Sequence, residues 1–121
     1  MLHLSAACRY FLYAGNTDMR KGFDSLCGIV SSVMKLDPLN GAVFIFLNKK
    51  HNQVKLLLWE GDGFAMYYKR LEQGTYELPV FDTDSHSLSI SNQQLQLILQ
   101  GISLKSVRRR KRYQHMPQSS G

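Results

Sequence analysis

Apolar positions recur along this 121-residue chain in two rhythms, one of strands and one of helices. The run Arg9-Tyr10-Phe11-Leu12-Tyr13-Ala14 is aromatic and apolar, stops at Gly15-Asn16, and reads as a first strand. Thr17 then has the form of a helix N-cap, with Asp18 in the first turn, where the helix dipole favours an anion. Behind it Met19, Phe23, Leu26, Cys27, Val30, Val33 and Met34 return at spacings of three and four, the stripe of an amphipathic helix. Gly22 and Gly28 each weaken such a helix by about 1 kcal/mol relative to Ala, a cost that a close helix–sheet approach would explain. Asp37-Pro38-Leu39-Asn40-Gly41 ends it.

Three short runs follow with turns between them. Residues 42–47 are continuously apolar, as in a buried strand, 53–59 form a second strand and 64–70 a third. Asn48-Lys49-Lys50-His51-Asn52 is a polar hairpin tip, and Gly61-Asp62-Gly63 reads as a hairpin turn rather than a phosphate cradle, because it leads into a strand and not a helix. The turn places Lys55, Leu57 and Trp59 on one face with Phe64, Met66, Tyr68 and Arg70. Val54, Leu56 and Leu58 share the other with Ala65, Tyr67 and Lys69. Both faces are partly apolar, so periodicity leaves open which one the helix covers. Thr75–Leu78, closed by Pro79, and Ser87–Ile90 are candidates for one further strand. Ser91-Asn92-Gln93-Gln94 has the capping-box form ahead of a short helix with Leu95, Ile98, Leu99 and Ile102 on one side and Gly101 as its stop. The expected fold is α+β: a small antiparallel β-meander packed by one long N-terminal amphipathic helix over about 17–35, extended by the 9–14 strand, with a short C-terminal helix and a basic tail.

Charge changes this picture by dividing the chain. Residues 1–104 carry as many acidic as basic side chains, so the whole net charge of +6 lies in Lys105, Arg108, Arg109, Arg110, Lys111 and Arg112. The expected organisation is a single domain over 1–104 and a flexible basic tail over 105–121. Two cysteines, Cys8 and Cys27, are too few for a disulfide scaffold or a structural zinc site. The start of the chain lacks the pattern of a signal peptide, and no apolar run approaches the roughly 20 residues of a membrane span, which reads as a cytoplasmic protein. No nucleophile elbow, zinc-protease motif, Walker loop or Cys-x-x-Cys pair occurs. Asp18, Asp37, Asp62, Asp82 and Asp84 each have a place at a helix start, a turn or a loop, and the four histidines match no ligand spacing. No catalytic residue, metal site or cofactor is assigned.

Nucleic acid is better served. Arg108–Arg112 puts five consecutive cations where an extended segment can meet several phosphates, although docking on an acidic protein or plain solvation accounts for the same residues. Lys49, Lys50 and His51 crowd one hairpin tip. Lys55, Lys69 and Arg70 lie along the meander among Trp59, Tyr67 and Tyr68, a mixture suited to phosphate contact and base stacking, and equally to a core with solvated lysines.

Four segments together resemble a known family. Thr17-Asp18-Met19-Arg20-Lys21-Gly22-Phe23-Asp24 resembles the T-D-M-R-K-x-x-D opening of the small TnpB accessory proteins of insertion-sequence-66 transposons, which are distinct from the large RNA-guided nucleases sharing that name. Leu36-Asp37-Pro38 with Gly41–Phe46, then Lys55–Phe64, then Tyr68–Tyr76 closed by Pro79, resemble the family's further blocks in order and spacing. Asn16 stands where the family usually has Pro, and the tip from Asn48 is less arginine-rich than most. The resemblance implies a role in DNA transposition beside a separate, larger transposase, and it supplies no catalytic residue. The leading expectation is a non-catalytic accessory protein binding DNA, such as transposon ends, through Arg108, Arg109, Arg110, Lys111 and Arg112, with Lys49, Lys50, Lys69 and Arg70 as secondary contacts. The alternative is an adaptor that docks to the transposase through Trp59, Tyr67 and Tyr68 without touching DNA.

Overall fold

The continuously apolar run predicted at 42–47 becomes the middle of the sheet. The computed structural model describes residues 8–78 and 86–100. In chain order it holds β1 (Tyr10–Asn16), α1 (Phe23–Ser32), β2 (Val43–Leu47), β3 (Gln53–Trp59), β4 (Phe64–Arg70), β5 (Ser87–Ile90) and α2 (Asn92–Gln100). The strands form one sheet in the order β4-β3-β2-β1-β5. All five residues of β2 are buried, because both faces of the sheet are covered. On one face Leu26 and Val30 of α1, with Met34 just beyond it, pack on Phe44, Phe46 and Leu57. On the other, Leu95 and Ile98 of α2 pack with Tyr10, Leu12, Ile45, Val54 and Leu56.

This corrects the expected architecture in three respects. The sheet is mixed rather than antiparallel: β2, β3 and β4 form the expected meander, but β1 runs parallel to β2. A parallel neighbour needs a crossover, and α1 with its flanking loops is that crossover. The helix is also short. It spans ten residues with Gly22 at its N-cap and no side-chain cap, rather than starting at Thr17. Residues 18–21 form a turn instead, in which the Asp18 carboxylate accepts from the Arg20 backbone N–H at 2.9 Å and the Asp18 carbonyl accepts from the Lys21 N–H at 3.1 Å. At its other end Lys35 takes a left-handed φ of 59°, past the last helical turn. Finally, one helix does not carry the packing, since α2 closes the second apolar face. The question that periodicity left open is answered by both faces being core.

The later elements follow from local chemistry. Ser91 and Gln94 exchange the two bonds of a capping box, Gln94 N–H to Ser91 Oγ at 3.0 Å and Ser91 N–H to Gln94 Oε1 at 2.9 Å. Ser87–Ile90 is the added strand and pairs antiparallel with β1, whereas 75–78 joins no strand. The β3–β4 register places the two sets of side chains on opposite faces as the turn predicts, with Lys55 opposite Tyr68 and Trp59 opposite Phe64. Neither cysteine is in a disulfide, and burial followed by the charge of Asp24 pushes the Cys27 thiol above its ordinary range. No helix among the described residues is long and apolar enough to cross a membrane. Pro79, Asp82, Asp84, Gly101 and the basic segment 105–121 lie outside the described residues.

Close packing does not explain the helix glycines. A Cβ added at Gly22 or Gly28 meets nothing within 4 Å, and Gly28 is an exposed position inside α1. Gly28→Ala should therefore stabilise the fold by about 1 kcal/mol, raising Tm by roughly 4–8 °C in a thermal melt followed by circular dichroism.

Candidate functional site

One buried cation organises the sheet end at which β1 and β2 finish. Lys55 lies in a strand whose neighbours Val54 and Leu56 are fully buried, and is itself only 7% exposed. Its side chain is on the α1 face. There the ammonium donates to the carbonyls of Met19 and Lys21, each at 2.8 Å, and sits 5.0 Å from the centre of the Tyr68 ring. Two carbonyls and an aromatic face occupy the directions of its three N–H donors. The Met19 and Lys21 carbonyls of the 17–22 loop are thus tied to the sheet by the Lys55 ammonium, and the helix begins after the Gly22 N-cap.

That loop and the β2–β3 tip flank an open cavity of about 600 Å³, lined by Asn16, Thr17, Asp18, Met19, Arg20, Asn48, Lys49, Lys50, Gln53 and Tyr68. The cavity lies beyond the carboxyl ends of two adjacent parallel strands, where α/β sheets place their ligands. The β1–β2 register slips between Leu12 and Asn16, so β1 advances two more residues than its partner as it reaches this end. The Thr17 N–H then donates to the Leu47 carbonyl at 2.8 Å and fixes the start of the loop.

The tip is wired by Asn48. Its Oδ1 accepts from the N–H groups of Asn52 and Gln53 at 3.0 and 2.9 Å, and its Nδ2 donates to Asn52 Oδ1 at 2.7 Å. His51 takes a left-handed φ of 58°, and the carbonyls of His51 and Asn52 are anchored by the N–H groups of Tyr76 and Leu71. Lys49 and Lys50 are left exposed at the rim of the cavity. On the opposite side Asp18 and Arg20 form a bidentate pair, the shortest contact being 2.6 Å. The hydrogen bonds from the Arg20 side chain and backbone hold the Asp18 carboxyl well below the usual carboxylate range. A lowered carboxyl pKa contributes stability above the ordinary value near 3.8 and loses it only as pH falls through the lowered one, so the pair keeps its charges through the neutral and mildly acidic range. The lining thus has three cations against one carboxylate that is already paired.

Two polar groups in the lining stand out. Tyr68 is 52% exposed although Lys55 covers one face of its ring, and its hydroxyl donates to Gln53 Oε1. Thr17 is 3% exposed, and its buried Oγ1 has no hydrogen-bond partner among the described residues. No group of three His, Cys, Asp or Glu side chains that could hold a metal ion occurs among the described residues.

The residues singled out in the sequence are distributed as follows. Lys49, Lys50 and Tyr68 share the cavity. Arg70 stands opposite Gln53 but is paired with Glu72 at 3.0 Å. Lys69 and Tyr67 are on the other face of β4. Trp59 lies at the far end of β3, edge-on to Phe64 at 5.0 Å, with Phe64 stacked on the 44%-exposed Phe23 at 6.5 Å. Trp59, Tyr67 and Tyr68 therefore do not form one patch. Arg108–Arg112 lies outside the described residues. Sequence reasoning passed over Thr17, Asp18, Arg20 and Gln53 as site residues and took Lys55 for a surface cation. The available signal was a single lysine within the apolar run Val54–Trp59.

Comparison with known proteins agrees with the motifs. A family model described as "IS66 Orf2 like protein" matches residues 8–109. The uncharacterized protein y4hO of Sinorhizobium fredii is 35% identical over 102 residues, covering 84% of this chain and 87% of its own length. The uncharacterized protein y4jC of the same organism is 26% identical over 110 residues, covering 91% and 92%. No solved structure matches the chain.

The site's integrity is tested at Lys55. Replacing it by Met removes charge-assisted bonds to two carbonyls, and Lys55→Met should lower the unfolding free energy by about 1–3 kcal/mol in urea titrations.

Proposed function

The chain belongs to the family of IS66 Orf2-like proteins, associated with transposition, and from that premise we propose that it is a non-catalytic accessory factor that contacts DNA beside the element's transposase in the cytoplasm. The observation that carries this reading is the gathering of Arg20, Lys49 and Lys50 around one cavity at the carboxyl ends of β1 and β2. Lys49 and Lys50 project from a tip that Asn48 holds rigid, so two phosphate-binding charges are presented with little ordering cost. Arg70 lies beside the same end and Lys69 on the reverse face. In this proposal both serve as outlying contacts, and the segment Arg108–Arg112 adds the non-specific, salt-sensitive part of the affinity. Fluorescence anisotropy of duplex DNA against salt tests the reading. Each phosphate contact contributes about 0.9 to the slope of log K against log salt, so Lys49→Ala/Lys50→Ala should reduce that slope by nearly 2 and deletion of 105–121 should reduce it further. Absence of duplex binding at low salt refutes DNA contact.

A second reading, docking to the transposase, is favoured by a different observation. Phe23, Phe64 and Trp59 form a partly exposed aromatic ladder at the end of the sheet remote from the cavity. Aromatic anchors dominate many interfaces. A pull-down of the matching transposase by the full chain should weaken at least tenfold with Trp59→Ala/Phe23→Ala and be unaffected by Lys49→Ala/Lys50→Ala. The opposite pattern would place the contact at the cavity.

A further inference from the structure

We propose that the cavity between the 17–22 loop and the 48–52 tip holds one unpaired nucleotide of DNA, its base stacked on Tyr68 and its phosphate at Lys49 and Lys50. The proposal deepens the DNA-contact reading and rests on it.

Volume is the first argument. A contact to duplex backbone needs only a cationic rim, whereas this site is an open groove of about 600 Å³, wide enough to seat one nucleotide against its wall. The second is the distribution of chemistry within it. The two exposed lysines lie at the rim on the tip, and the Tyr68 ring and Gln53 line the wall beside them. Tyr68 is a ready platform: the Lys55 ammonium holds one ring face, the hydroxyl is tied to Gln53, and half of the residue's surface remains open. An aromatic ring fixed in this way loses little freedom when a base stacks on it.

The third argument is hydrogen-bonding capacity left over. With its Oε1 accepting from Tyr68, Gln53 keeps both Nε2 hydrogens to offer the acceptor edge of a base. Asn48 is consumed by the tip, and Asp18 by Arg20, so neither competes for the base. The Asp18–Arg20 pair walls the cavity without adding net charge, leaving the phosphate to the lysines.

The test uses the full chain and two DNAs of one sequence, a blunt duplex and the same duplex carrying a single-stranded flank with 2-aminopurine. The flanked DNA should bind about tenfold tighter, and the 2-aminopurine emission should be quenched by stacking. Tyr68→Ala should bring the ratio of the two affinities close to one, and Tyr68→Phe should retain it. Equal affinity for the two DNAs, or a Tyr68→Ala ratio equal to the parent's, overturns the nucleotide pocket while leaving DNA contact standing. Failure to bind either DNA overturns both. Saturation by deoxyadenosine monophosphate at a lower concentration than the flanked duplex assigns the cavity to a free nucleotide and overturns the proposal as stated.

Discussion

A lysine ammonium inside an apolar strand is tolerable only if its donors are met, and the arrangement around the cavity follows from how Lys55 meets them. Two backbone carbonyls of the loop after β1 turn toward it and tie that loop to the sheet. A ring must lie over it, so Tyr68 on the edge strand is drawn down against the sheet. One charge thereby ties the crossover loop, the third strand and the fourth strand together, although they are far apart in the chain.

The site has the geometry of an α/β crevice built with the fewest parts: two parallel strands, one crossover and one hairpin. The loop after β1 supplies the orphaned hydroxyl and the neutralised ion pair, and the tip after β2 supplies the exposed cations. The antiparallel strands contribute the floor. Positive charge at one end of the sheet and an aromatic ladder at the other give the body two distinct faces for two kinds of contact, although its charge is balanced overall.

Much of the fold was legible because its signals are local. The apolar run at 42–47, the Gly61-Asp62 turn and the Ser91/Gln94 box act within a few residues, and each produced the expected element. The errors came from non-local forces. Thr17 and Asp18 have the chemistry of a helix start, but they open a turn whose Met19 and Lys21 carbonyls bond to Lys55, more than thirty residues away. The parallel pairing of β1 leaves no mark in its own seven residues. The cavity was half legible: Lys49 and Lys50 stand out as charges, but nothing in sequence spacing brings Arg20 and Tyr68 to them.

The position of β1 has a consequence for synthesis. Tyr10 pairs on one side with Val43 and on the other with Ile90, eighty positions downstream. The β2–β4 meander can assemble as it leaves the ribosome, but the face carrying Ile45, Val54 and Leu56 stays wet until β5 and α2 are made. Among the described strands, β1 thus gains its second partner only after β2, β3 and β4 have been made. A nascent chain that stalls before residue 87 presents an open strand edge and an uncovered apolar sheet, the two features that recruit holding chaperones or neighbouring chains.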